Sequence, residues 1–497
     1  MLRPFYFSCI IFFYLMGLVS CDKEHFSSDP RVLPSFSVDT LSFDTVFTTI
    51  GSATLSFKIY NRNNDFIRIS NIQLANDKRS HFQLNVDGIP GTQFSNVELR
   101  PKDSIYVFCQ VRINPADPLS ISPFIVLDSI IFTTNGVEQT IYLDARGQNA
   151  NYFPSKANKG QIAIIDLQNK VLQWNDPKPY IVYGIVYFDH GTLEIAEGTQ
   201  VHFFGGITKA KDEKGETFFY NDGRMIIGSD AHLKIMGSIT KPVIFQGVRL
   251  ESNYSELAGQ WSGIFLDKNS VENEFNNVRI KNNLIGLFLD SLAECKINNS
   301  IFSNNTYNGI SAYSSKLEVN NSLFYNQGQA SVSMQCGGDY SFAYCTMANF
   351  NNDDVACFLS NNFCKDPPFC LNFTKNKLIA SFANCIFTGS SEDEFYIRKD
   401  EDNSLGFQLN LDHCLFRVKD LIRKDQYPDF ITDFTSQSYL RNSLDSLFKD
   451  ISKNNFHPDS LSFLEKKAKP IGALNFDLDG NLRDPINPDL GCYEFQY

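Results

Sequence analysis

The sequence predicts an all-β protein in two parts: a β-sandwich, then a solenoid of parallel strands. Three observations carry this expectation. Residues 36–148 alternate apolar and polar side chains over short runs separated by Gly, Asn, Asp and Pro. Beyond about Gly160, a four-residue phrase returns: Asn299-Ser300-Ile301-Phe302 reappears 22 residues later as Asn321-Ser322-Leu323-Phe324. Finally, matching positions of that phrase keep their size, one always small and one always large and apolar. Strict alternation is the mark of half-buried strands, whereas self-similarity at a fixed period is the mark of stacked repeats.

The N-terminus comes first. Arg3 precedes an uncharged apolar run, Phe5 to Val19, too short to span a bilayer but right for a secretory signal. It ends in Leu18-Val19-Ser20-Cys21, which resembles the lipobox of bacterial lipoproteins. That resemblance implies a signal peptide over 1–20, cleavage before Cys21, and lipidation of Cys21, which anchors the chain to a membrane. Asp22-Lys23-Glu24 is similar to the acidic export tags of surface lipoproteins in some Gram-negative bacteria. The implied address is the outer membrane, facing outward. A Ser/Pro-rich tether covers 21–35.

The sandwich spans 36–148. Leu55, Phe57 and Ile59 alternate in one run, Ile105, Val107, Cys109 and Val111 in a second, Ile141, Leu143 and Ala145 in a third. One face of each strand is therefore dry and the other wet. Cys109 falls in the inward register and is expected to be buried and reduced. Some seven strands in about 110 residues resemble an immunoglobulin-type sandwich, similar to the Ig-like modules that precede repetitive domains in bacterial surface proteins.

The repeat region spans 160–435. Its phrase recurs at Asn277, Asn299, Asn321, Tyr344, Asn384 and His413, in steps of 22, 22, 23, 40 and 29 residues, the longer steps marking inserted loops. The small column reads Val278, Ser300, Ser322, Cys345, Cys385, Cys414. The large column reads Ile280, Phe302, Phe324, Met347, Phe387, Phe416. Stacking of like on like fits parallel strands lying one rung apart, about 4.8 Å. Asparagines mark the corners because Asn tolerates left-handed backbone and can ladder its amides. The pattern resembles the right-handed parallel β-helix, the pectate-lyase-like superfamily in its broad sense. Residues 436–497 contain Leu478 to Phe495, which resembles the closing segment of many bacterial surface β-helices.

A net charge of −12 and the lack of a basic stripe argue against nucleic acid as a partner. Of the twelve cysteines, Cys345, Cys385 and Cys414 share the small interior column, Cys295 aligns with Leu317, and Cys336 continues an inward alternation. Such thiols act as small apolar side chains. Cys364 and Cys370, in the longest insertion, are the pair expected to bridge.

The resemblance to β-helices raises the question of an enzyme, since members of that superfamily cut acidic polysaccharides. Polygalacturonase-like members use several Asp residues, a His-Gly and an Arg-x-Lys in set order. Here Asp189-His190-Gly191, Arg279-Ile280-Lys281, Asn305-Thr306-Tyr307 and Asp353-Asp354 occur in scrambled order, and we read them as coincidence. One local constellation remains. Phe265 with Asp267, and Phe288 with Asp290, face outward 23 residues apart, and the next rungs place Tyr313 and then Gln335 in the Asp column. Stacked acids beside aromatic rings would suit a sugar face, or calcium. No other cofactor is implied. Asp followed by Thr or Ser and an aliphatic residue recurs at Thr40, Thr45, Ser104, Ser129, Ser291, Ser446 and Ser460. This resembles an O-glycosylation motif used on exported proteins by some bacteria.

These readings favour a lipid-anchored envelope protein that binds a glycan, or an envelope or host protein, without catalysis. The alternative is a divergent polysaccharide lyase or glycoside hydrolase using Asp267, Asp290 or the insertion around Asp353-Asp354.

Overall fold

A computed structural model describes residues 25–48, 50–52, 54–113, 124–154, 162–211, 216–350, 352–366, 368–400, 406–423, 427–441 and 447–496. The expected signal peptide, Cys21 and Ser446 lie outside these residues. The chain divides into two compact units between Asn149 and Ala150, and nearly all of its regular structure is strand.

The first unit contains two five-stranded sheets sharing one apolar core. Phe57 and Ile59 from one sheet meet Ile130, Phe132, Ile141 and Leu143 from the other. The alternation read in the sequence sets this directly: inward residues Val107, Cys109 and Val111 are fully buried, whereas Tyr106 and Phe108 on the same strand face solvent. Burial pushes the Cys109 thiol up to about 12, so it stays protonated. Pairing among the strands of these sheets is antiparallel except where Thr40–Phe47 runs parallel to Val137–Gln148, and a single parallel bridge joins Phe26 to Phe66.

The second unit is built on two long parallel sheets of 11 and 15 strands. The repeated phrase is one rung of the smaller sheet: Phe302 pairs with Phe324, Phe324 with Met347, Met347 with Phe387 and Phe387 with Phe416. The rings of Phe302 and Phe324 lie 5.0 Å apart and 10° from parallel. Every member of the small column and every member of the large column is buried. Serine suits the small column because its hydroxyl can return a bond to the backbone: Ser300 Oγ donates to Asn298 O and accepts the Val278 amide.

The corner residues explain the conserved rhythm of the phrase. Asn277, Asn299, Asn321, Tyr344, Asn384 and His413 all have φ between 48° and 58°. Left-handed backbone costs an ordinary L-residue about 1–2 kcal/mol and Asn least among those with side chains. One residue earlier, Asn276, Asn298 and Asn320 form an amide ladder, each Nδ2 donating to the Oδ1 below at 2.8 and 3.1 Å. The phrase has a seventh copy, Gln437-Ser438-Tyr439-Leu440: Gln437 has φ 47°, and Ser438 Oγ accepts the Cys414 amide. It escapes notice in the sequence because neither Gln nor Tyr matches the consensus.

The described part of the expected closing segment, residues 447–496, packs against a sheet face. After Leu440 the chain does not continue over the end of the stack. Residues 447–496 lie along the outer face of the 11-stranded sheet, where Leu447, Phe456, Leu464, Leu490 and Cys492 pack on Leu323, Ile386 and Leu415. The end of the stack is filled instead by two short helices, Asp420–Arg423 and Phe430–Phe434, which bring Phe430 against Phe395 and Phe416. The outward column Ile301, Leu323, Thr346, Ile386, Leu415 is apolar but for Thr346 because this segment covers it, and the Thr346 hydroxyl accepts the Cys492 amide of that segment. Corner side chains hold the segment down: Asn321 and Asn384 donate to Phe476 O and Lys469 O, and Tyr344 Oη donates to Lys469 O. Gly491, at φ 83°, passes so close that a Cβ would sit 2.5 Å from Ile386 and Thr346.

Candidate functional site

The outer face of the 15-stranded sheet carries a vertical strip of mostly large side chains. Parallel register places Tyr187, Ile226, Phe265, Phe288, Ser311, Ser333, Phe358 and Tyr396 in one column. Their strands alternate, so Ile264, Leu266, Leu287 and Leu289 are wholly buried while Phe265 and Phe288 are half-buried and face out. The two rings lie 5.3 Å apart, tilted by 35°. The Arg224 guanidinium sits 4.2 Å from the Phe265 ring and donates to Ser262 Oγ, which fixes its position over the ring. A second aromatic pair, Phe358 and Tyr396, stacks at 6.0 Å beyond the two serines.

Asp267 and Asp290 flank this strip, both half-buried. Each accepts the amide of the residue that follows it, and Asp267 Oδ2 also accepts the Tyr187 hydroxyl at 3.1 Å. Burial, reinforced by the Asp267 charge, raises the Tyr187 phenol to about 12, so it remains a donor. Tyr313 keeps the expected register, pairing with Gln335, but it is not an open part of the face. The insertion after Ser360 folds into a hairpin, strands Asn362–Cys364 and Phe373–Lys375, closed by a disulfide between Cys364 and Cys370. Phe363 of that hairpin packs edge-on against the Tyr313 ring at 5.1 Å. Tyr313 thus anchors a wall beside the strip; the sequence could place its rung but not the loop folding back over it.

The acidic character extends further than sequence spacing suggests. Asp166 pairs in register with Asp189, and His190 Nδ1 lies 3.2 Å from Asp189 and 3.7 Å from Asp166. Asp230, on the loop of the next rung, joins them: Asp189, His190 and Asp230 each offer a ligand atom, all within 4.8 Å of one another. Among the described residues this is the one such group of three, and neither Asp267 nor Asp290 belongs to it. Two carboxylates and an imidazole suit calcium poorly, since that ion takes six to eight oxygens. Asp189-His190-Gly191, discounted above, therefore sits beside the strip. The insertion between 206 and 223 breaks the repeat period and hides the juxtaposition. Asp353 and Asp354 are exposed, and Asp354 Oδ1 is engaged by the Val355 amide.

The Asp-Ser/Thr motifs also have a local structural role. At Thr45, Ser104, Ser129, Ser291 and Ser460 the preceding Asp carboxylate accepts that residue's amide. Thr40 and Ser460 are exposed; Thr45, Ser104, Ser129 and Ser291 are half-buried.

No family model matches the chain, and no curated protein does. Among solved structures, the catalytic unit of a family 87 α-1,3-glucanase from Streptomyces thermodiastaticus is similar over 72% of this chain and 73% of its own, at 9% identity and a TM-score of 0.25. A family 123 glycoside hydrolase from Clostridium perfringens is similar over 27% of this chain and 26% of its own, at 13% identity and a TM-score of 0.18. The periplasmic chaperone SfaE is similar over 23% of this chain and 57% of its own, at 8% identity and a TM-score of 0.16. The chain thus spans about a quarter of the family 123 enzyme and just over half of the chaperone. Likenesses at these scores carry no argument about what this chain does.

Proposed function

We propose that this protein is a lipid-anchored envelope protein, held by Cys21 at the outer membrane and facing outward, that binds an extended glycan without cleaving it. In this reading the second unit is a right-handed parallel β-helix and the first is an Ig-like module that carries it. The observation that supports binding is the outer strip: the neighbouring, tilted rings of Phe265 and Phe288 one rung apart, with Asp267, Asp290 and the Tyr187 hydroxyl alongside. Aromatic rings pack against the C–H face of a pyranose, and fixed acceptors at their edge hold its hydroxyls. A strip that repeats once per rung suits a polymer rather than a single sugar.

The test is retention of the protein on immobilised neutral and uronic-acid glycans, compared with Phe265→Ala/Phe288→Ala and Asp267→Ala/Asp290→Ala variants. Retention that both variants lose supports the reading, and undiminished retention ends it. The proximity of Asp189, His190 and Asp230 favours one alternative, a divergent polysaccharide lyase or glycoside hydrolase. Release of reducing or unsaturated ends from the same glycans, lost on Asp189→Asn, would select that alternative.

A further inference from the structure

The first unit carries a second surface of ligand-binding character, and the two aromatic residues that make it are exposed without an evident structural reason. Strand Ser104–Val111 lies in the middle of its five-stranded sheet, where Lys58 and Ser56 flank it on one side and Asn85 and Gln83 on the other. Its inward residues Val107, Cys109 and Val111 are core. Its outward residues are Tyr106, Phe108 and Gln110, and an outward position on a central strand is ordinarily polar. Tyr106 is 46% and Phe108 40% exposed. Their rings lie 5.7 Å apart and 20° from parallel, an offset-stacked aromatic platform, and the Lys58 ammonium rests 4.7 Å from the centre of the Tyr106 ring.

Beside this platform runs an open groove of about 740 Å³, within the range of small-molecule sites. Its polar side chains are all uncharged, the amides of Gln83, Asn85 and Gln110 and the hydroxyls of Thr54 and Thr92. Gln110 and Thr54 are bonded to each other, which fixes the amide plane. Asn85 Oδ1 is buried and has no hydrogen-bond partner in the protein, although it sits directly across from Phe108 in the sheet register. A buried acceptor left unpaired costs about 1–3 kcal/mol, a cost that a ligand hydroxyl would relieve.

We propose that this face of the first unit is a second glycan-binding site, specific for neutral sugars. A pyranose ring packs on Phe108, whose ring lines the groove and is supported by Tyr106, and the amides of Gln83, Asn85 and Gln110 bond the hydroxyls at its edge. Neutrality follows from the lining, which offers a ligand carboxylate no cation inside the groove. The stacking contact falls to Phe108 because its ring lines the groove, and the Tyr106 ring stacked on it holds it in place. The site does not depend on the strip of the second unit.

The experiment uses the full chain carrying Phe265→Ala/Phe288→Ala, so that the second unit's strip does not contribute. Saturation-transfer NMR is recorded with hexasaccharides of β-linked glucose, α-linked glucose, mannose and galacturonate. At least one neutral hexasaccharide is expected to receive saturation at its ring C–H protons. Adding Tyr106→Ala and Phe108→Ala should then weaken its binding by roughly tenfold or more, since Phe108 supplies the stacking contact and Tyr106 holds its ring in place. Tyr106→Phe should retain it. Both rings face solvent, so their removal leaves the core intact. Absence of saturation in every neutral hexasaccharide overturns the proposal, as does binding of galacturonate alone or affinity unchanged by loss of both rings.

Discussion

Replacing Phe302 by Ala probes the stacking of one rung on the next. Phe302 and Phe324 are fully buried, paired in register and 22 residues apart in sequence, so nothing but coil stacking brings their rings to 5.0 Å. Truncating a buried Phe costs about 3–5 kcal/mol through lost transfer energy and an incompletely filled cavity. The cost should fall at the upper end here, because the rungs above and below are tied by backbone bonds and cannot collapse inward. The ring–ring contact itself adds about 0.5–1.5 kcal/mol, which a double-mutant cycle with Phe324→Ala isolates. The assay is equilibrium urea unfolding followed by tryptophan fluorescence. Trp174 and Trp261 are the chain's two tryptophans, both are buried, and both belong to the second unit. A shifted midpoint with unchanged slope reports stability alone. Additivity of the two single variants within about 0.3 kcal/mol would refute the stacked arrangement.

Three further outcomes are expected. Burial raises Glu394 to about 8, so the folded state holds a proton that the unfolded chain releases near 4.5; stability is full below that value and falls as pH rises towards 8, at up to about 1.4 kcal/mol per unit. Glu394→Gln should flatten this slope in unfolding series from pH 5 to 9. Arg483 is buried and donates to Asn321 and Gly491 O, with Glu494 beside it and the Tyr344 ring beneath; Arg483→Ala should cost about 3–5 kcal/mol, and Arg483→Ala and Gly491→Ala should each speed proteolytic release of residues 447–496. At the corner, Asn299→Gly should be near neutral and Asn299→Val destabilising by about 1–2 kcal/mol, read from urea midpoints.

Much of this architecture is written in local physics. The corner asparagines, the small column and the large column are visible in the sequence because each rung meets the same neighbour, so identity repeats where geometry repeats. Cys345, Cys385 and Cys414 could be assigned to the interior on that ground alone. What could not be read depends on contacts between segments of unrelated spacing. Tyr313 has the right register for an open face, yet Phe363, from an insertion with no period, lies against it. Asp230 joins Asp189 and His190 because the flanking strands pair in register, Phe188 with Ile227 and Gly191 with Ala231, across a sequence step that the stretch between 206 and 223 lengthens beyond the repeat period. The destination of residues 447–496 was hinted at by an outward column that is apolar, Ile301, Leu323, Ile386 and Leu415, but only the three-dimensional packing shows what covers it. The Tyr106 and Phe108 platform was visible as an alternation with two aromatic residues on its wet side, a departure from pattern that the sequence alone does not interpret.

The register that creates the candidate strip can be measured by cross-linking Phe265→Cys with Phe288→Cys. Neighbouring rungs put these positions about 4.8 Å apart, inside the window of about 4.4–6.8 Å for a disulfide, and the described unpaired thiols are all buried. Mild oxidation followed by peptide mass analysis should find a 265–288 bond, and should find none in the control pair Phe265→Cys with Ser311→Cys, two rungs apart. Failure of the first pair to bond, or ready bonding of the control, would contradict the register on which the fold and its outer strip both depend.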